Sequence, residues 1–171
     1  MRDSRHYLQL ALFLVAIPIA AAVLFRYDVL HFFGQGPGME LRVDLSERRL
    51  SVVENGKTVK TYPIAVGRPS NPTPTGRFRT GRIEWNPSWN PPNSPWARGM
   101  KPRKPGDPQN PMQGVKIYFR EPAYYIHGTN DPASIGQAAS RGCIRMTPGD
   151  ARDLARRIES AGGSVPLIIS P

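Results

Sequence analysis

The 171-residue chain holds one cysteine, Cys143, and a lone thiol can form no intramolecular disulfide. Histidine is nearly as scarce: of three, only His127 lies beyond residue 38. A structural zinc site draws on three or four Cys or His ligands, so the body has too few and no metal site is expected. Also missing are a Walker-type G-x-x-x-x-G-K-[ST] loop, a G-x-G-x-x-G turn and a G-x-S-x-G elbow. Their absence removes the familiar phosphate cradle, dinucleotide site and serine nucleophile turn, and no cofactor is expected. Acidic residues are few as well, 13 Asp and Glu against 23 Lys and Arg, for a formal charge of +10. That balance favours an anionic partner: nucleic acid, an acidic membrane face or an acidic polymer.

Charge is absent altogether from Tyr7 to Phe25, YLQLALFLVAIPIAAAVLF, where Gln9 is the only strongly polar side chain. As a helix the run spans about 28 Å at ~1.5 Å per residue, close to the thickness of a bilayer core. It reads as a membrane anchor or a signal peptide. Ala20 to Ala22, shortly after Pro18, meet the small-residue requirement of a signal peptidase, whereas continuation of the apolar run through Phe25 favours an uncleaved anchor. Arg2 and Arg5 place residues 1–6 on the cytoplasmic side and the body outside. Residues 26–38, RYDVLHFFGQGPG, then read as a linker, and residues 39–171 as one globular domain in the cell envelope. Export removes nucleic acid as a partner and leaves wall polymers and acidic lipid; no oligomeric state is implied. It also makes a single cysteine conspicuous, because exported bodies usually carry paired cysteines or none.

From Met39 the pattern is mainly β. Apolar residues alternate with polar ones at Leu41, Val43 and Leu45, then Leu50 and Val52, then Val59, Tyr62 and Ile64, which predicts half-buried strands. Asn55-Gly56 between two runs predicts a type I′ hairpin turn, since both central positions need positive φ. The stretch from Trp85 to Pro111 carries eight of the nineteen prolines and all three tryptophans. Prolines supply no ladder donors, so it predicts a long extended excursion rather than sheet interior. Its tryptophans either staple the loop to the body or line a groove, and Arg98, Lys101, Arg103 and Lys104 form a basic cluster that is either solvated or in contact with a ligand. Val115 to Phe119 and Ala123 to Gly128 read as strands about a turn at Glu121-Pro122. Residues 131–140 leave room for one short helical turn. Thr147 as N-cap, Pro148 at the first helical position and Ala151, Leu154, Ala155 and Ile158 at helical spacing predict one amphipathic helix ending at Gly162-Gly163. A last strand follows, SVPLIIS, with Pro166 at its start or on an edge.

A thiol and an imidazole sixteen positions apart are the minimum kit for nucleophilic acyl transfer. Gly142 allows a sharp turn before Cys143, and Arg141 and Arg145 would favour the thiolate. Backbone N–H groups of Gly142 and Cys143 are candidates to hold an oxyanion. The bland alternative is a core cysteine and an unrelated strand histidine.

The stretch YYIHGTNDPASIGQAASRGCIRM resembles the catalytic segment of the L,D-transpeptidases of YkuD-type fold, with His-Gly after a strand, Ile-Gly in between, then Ser/Thr-x-Gly-Cys and an apolar residue before Arg or Asn. Upstream, YPIAVGRPSNPTPTGRF is similar to that family's strand and Thr-Pro-x-Gly-x-Phe segment; the likeness covers roughly Glu40 to Ser170. The resemblance implies a β-sandwich envelope enzyme acting on peptidoglycan stem peptides. It implies Cys143 as nucleophile, His127 as proton donor and acceptor, and Gly128 as the residue whose carbonyl orients the histidine. Arg145 falls on the substrate side, and Arg141, Ser140 and Tyr125 are further substrate-side candidates. The thiolate would release D-Ala from a tetrapeptide stem and pass the acyl group to an amine. A hydrolase of the same stems and an inert wall-binding module are the alternatives. One departure is Arg141, which stands where many members carry histidine; a guanidinium stays protonated and cannot serve as a base.

Overall fold

The structure, a computed structural model, describes residues 38–171. The apolar run at residues 7–25 and most of the linker lie outside the described residues, and among those described no helix is long and apolar enough to cross a membrane. Eleven short strands and one α-helix make up the body.

Strands β1 (Met39–Asp44), β2 (Arg49–Glu54) and β3 (Lys57–Pro63) form the opening meander. Asn55 and Gly56 take φ of 51° and 78°, the paired positive values of the hairpin turn their sequence calls for. The expectation that Val59 faces the core is corrected: it is 48% exposed. Register jumps from Val52↔Lys60 to Val53↔Thr58, so Val59 is the extra residue of a β-bulge on the sheet's edge strand, and Val53 is buried in addition to Val52.

The five-stranded sheet runs β3-β2-β1-β11-β5, with β5 at Gly76–Arg79 and β11 at Pro166–Ser170. Here β11 pairs parallel with β1 and antiparallel with β5, so the last strand is central and Pro166 marks its start rather than a sheet edge. A missing N–H is tolerated at a first residue. A second sheet runs β10-β8-β7-β6, formed by Ile144–Met146, Tyr124–Gly128, Gln113–Arg120 and Ile83–Trp85. Two further short strands, β4 (Val66–Gly67) and β9 (Ala138–Ser140), pair in parallel.

Both larger sheets share one apolar core with helix α1, Pro148–Ser160. Thr147 caps it as its pattern requires: the Oγ1 accepts from the Asp150 N–H at 3.1 Å. Ala151, Leu154, Ala155 and Ile158 are fully buried against β7 and β8. Complete burial of Leu154 or Ile158 contributes about 1.5–3 kcal/mol each. This helix therefore backs β8, which carries His127, and its neighbour β7. The excursion after β6 is neither sheet nor disordered coil: a 3-10 turn spans Pro95–Ala97, Trp89 and Arg103 bridge across it, and buried Asn110 donates to the carbonyls of Pro87 and Lys104.

Candidate active site

Cys143 lies in the three-residue turn between β9 and β10, and three local features shape that turn. Gly142 takes φ of 106°, and a Cβ there would stand 2.8 Å from the Tyr124 ring and 3.3 Å from the Pro72 carbonyl oxygen. Only glycine fits both the conformation and the space. Ser140 Oγ donates to the Cys143 carbonyl at 2.6 Å and accepts from the Gly142 N–H at 3.0 Å. Outside the turn, Arg68 holds the preceding strand by three contacts: its N–H and Nε reach the Ser140 carbonyl at 3.1 and 3.3 Å, and Nη2 reaches Ala139 O at 3.4 Å.

These bonds correct one expectation. The Gly142 N–H is engaged by Ser140 and is not an available oxyanion donor in this conformation, which leaves the Cys143 N–H, unpaired among the described residues. Ser140 lines the cleft but is buried, and its hydroxyl both donates to Cys143 O and accepts from the Gly142 N–H, so it holds the turn.

His127 sits on β8, 3% exposed. A carbonyl can only accept, so the 2.9 Å contact between Nδ1 and Gly128 O assigns the proton to Nδ1 and makes Nε2 the unprotonated ring nitrogen. Gly128 is tightly enclosed, since a Cβ there would overlap the Gln113 carbonyl. Parallel pairing sets Arg145 of β10 opposite His127, and antiparallel pairing sets Lys116 of β7 opposite it on the other side. Burial pushes the imidazole down to about 4; the Gly128 hydrogen bond opposes this, while Arg145 and Lys116 add to it.

Burial also dominates at the thiol. It raises the Cys143 pKa above its ordinary value, and the Tyr125 backbone, Arg145 and Lys116 pull the other way without prevailing. The expected thiolate is thus corrected to a neutral thiol, in the same cleft as a neutral imidazole: flanking charge is the weaker effect. Its Sγ donates to Ala123 O at 3.6 Å.

Both groups line one cleft of about 1220 Å³. Its walls hold six cations, Arg82, Lys101, Arg103, Lys116, Arg141 and Arg145, against a single carboxylate, Glu84. The excursion supplies Trp89, Trp96 and Met100 to the same cleft, whereas Trp85 donates its indole N–H to Glu159 at 2.8 Å. One tryptophan staples and two line the groove, so both readings of the aromatic loop are realised. Tyr125 donates to Pro122 O at 2.8 Å and presents its ring to Lys116 Nζ at 4.1 Å. Arg145 reaches Asp131 at 3.9 Å. Arg141 instead sits over the Trp96 ring, its guanidinium carbon 4.0 Å from the centroid.

Lys116 and Arg68 escaped the sequence reading. Alternation in VKIYF does place Lys116 on one face with Tyr118, but nothing in the string says that this face meets His127.

The family model for the YkuD L,D-transpeptidase catalytic domain matches residues 39–167, and the chain belongs to this family. YkuD of Bacillus licheniformis is 37% identical over 115 residues, covering 67% of this chain and 57% of that protein. YcfS of Escherichia coli strain K12 is 29% identical over 166 residues, 91% of this chain and 51% of that protein. The chain thus spans little more than half the length of these relatives. Among solved structures, an L,D-transpeptidase from Mycobacterium smegmatis superposes with a TM-score of 0.59 at 20% identity, over 80% of this chain and 60% of that one, which shows a common fold.

Proposed function

We propose that the chain is a peptidoglycan L,D-transpeptidase acting through Cys143. The observation that carries this reading is the convergence of the body's one thiol and one imidazole on a single basic cleft, with the histidine proton held on Nδ1.

In that reading the Cys143 Sγ–H proton passes to His127 Nε2 as sulfur attacks the carbonyl carbon before the terminal D-Ala of a tetrapeptide stem. The Cys143 N–H stabilises the oxyanion. Collapse breaks the C–N bond, and the imidazolium returns its proton to the departing D-Ala amine. A thioester remains. An acceptor amine then attacks it, gives a proton to His127 and displaces the sulfur, which regains that proton. Low basicity of His127 makes its imidazolium a strong acid toward the amine leaving group and a weak base toward the thiol, so the Sγ–H proton moves only as the C–S bond forms. Gly128 O keeps the ring in the required tautomer, and Arg145 and Lys116 attract the carboxylates of the stem. An N-terminal apolar run would keep this chemistry at the outer face of the membrane, in the envelope.

Incubation of the full chain with disaccharide tetrapeptides, read by mass, tests the reading. Loss of D-Ala with appearance of tripeptide-linked dimers is expected, and Cys143→Ala should give neither. Shortened stems without dimers would mean that water is the acceptor. Dimers formed equally by Cys143→Ala would remove the thiol from the mechanism.

A further inference from the structure

The excursion contributes more than a wall. We propose that Arg141, seated over the Trp96 indole, is a carboxylate receptor in the arm of the cleft that the excursion builds, and that its ligand is a free carboxylate of a stem peptide. This rests on the L,D-transpeptidase reading for the identity of the peptide, not for the existence of the receptor.

Four observations converge. First, the guanidinium carbon stands 4.0 Å from the centroid of the Trp96 ring, a cation–π contact that holds the charged head against the loop. Second, among the described residues the guanidinium has no acceptor: Arg141 makes no side-chain hydrogen bond and has no Asp or Glu within ion-pair distance. Other arginines of the cleft do have partners, Arg145 with Asp131, Arg103 with Asp107 and Arg82 with Glu84. Third, the one carboxylate in the cleft is already shared, because Glu84 is approached by Arg82, Lys116 and the Tyr118 hydroxyl. Fourth, the surroundings repel the charge. Desolvation, then Arg68 and Arg145, lower the pKa of Arg141. An exposed guanidinium seated on an indole, without a protein acceptor and near like charge, is relieved by an incoming anion, and its planar fork matches a carboxylate in bidentate fashion.

A stem peptide offers that carboxylate in two places, on the donor that acylates Cys143 or on the amine-bearing acceptor that follows. Two arms separate these sources. In the first, Cys143→Ala in the full chain is titrated with a tetrapeptide stem and with the same stem amidated at its carboxylates, which measures preference without turnover. In the second, the acyl-enzyme of the active protein is offered glycine or glycinamide, and the ratio of aminolysis rates is read by mass. The amine of glycinamide is the less protonated of the two at neutral pH, so a preference for glycine reports on its carboxylate. The expected preference is about tenfold in one arm, falling to near one in Arg141→Gln. Arg141→Lys should recover only part of it, since an ammonium keeps the charge but not the fork or the stack. Trp96→Phe should retain it and Trp96→Ala weaken it. Collapse in the titration assigns the receptor to the donor, and collapse in aminolysis alone assigns it to the acceptor. A carboxylate preference that Arg141→Gln leaves unchanged in both arms, or no preference at all, overturns the proposal. If no stem acylates Cys143 while Cys143→Ala still discriminates through Arg141, the transpeptidase reading fails and the receptor stands.

Discussion

Burial of His127 has a consequence for stability that is measurable without any substrate. The unperturbed imidazole titrates at 6.5 and the folded one at about 4, because a residue 3% exposed must shed its hydration to carry charge. At 1.36 kcal/mol per pH unit, that gap is worth about 3 kcal/mol. The folded pKa is depressed, so the unfolded chain binds a proton below 6.5 that the folded chain refuses until about pH 4. The contribution is therefore fully present above 6.5 and is lost as pH falls from there to about 4. Against a typical domain stability of about 5–15 kcal/mol this is a large fraction. The perturbation is His127→Gln, which leaves a polar side chain and removes the titration. Urea unfolding of both proteins from about pH 7 to about pH 4.5, followed by tryptophan fluorescence, gives the difference in stability at each pH. Asp44 and Asp153, whose pKa values are also held low, lose stabilising contacts in acid, but they do so in both proteins and cancel in the difference. The stability of the native protein relative to His127→Gln should fall by most of that 3 kcal/mol across the range. Parallel curves would refute the burial argument and with it the depressed basicity assigned to His127. By the same reasoning the acid limb of acylation lies below pH 5 rather than near 6.5.

Three other outcomes follow from named contacts. Gly142→Ala forces a side chain onto φ of 106° and against the Tyr124 ring; a loss of at least about 1–2 kcal/mol, seen as a lower Tm, should come with strongly reduced acylation of Cys143. Cys143 should react slowly with iodoacetamide at neutral pH and accelerate only in alkali, since burial raises its pKa; a rate midpoint below pH 7 would show that Arg145 and Lys116 outweigh desolvation. Thr147→Ala removes the cap of the helix behind β7 and β8 and should cost about 1 kcal/mol in denaturant unfolding, whereas Thr147→Ser should cost little.

Much of this molecule was legible in the string because the deciding physics is local. Positive φ at Asn55-Gly56, the Thr147 cap with Pro148 behind it, and the spacing of Ala151, Leu154, Ala155 and Ile158 all depend on neighbours a few residues away, and each is found as expected. Scarcity was equally informative, since a body with one thiol and one imidazole leaves little choice of chemistry, and the ordered motif around them names the family. What the string could not supply are quantities set by segments distant in sequence. Val59 leaves the core because a bulge inserts it opposite β2, and Pro166 heads a central strand because β1 and β5 close on both sides of β11. Arg68 reaches Ser140 from seventy-two positions away. Above all, the protonation of the site was decided in three dimensions. Charge counting around Cys143 pointed to a thiolate, but packing buries His127 and half-buries Cys143; at the thiol the cost of desolvating the ion exceeds the attraction of Arg145 and Lys116, and at the imidazole the same cations add to that cost. Sequence determined which groups are present and in what local turns; only the tertiary structure decided how dry they are, and so in which state they meet a substrate.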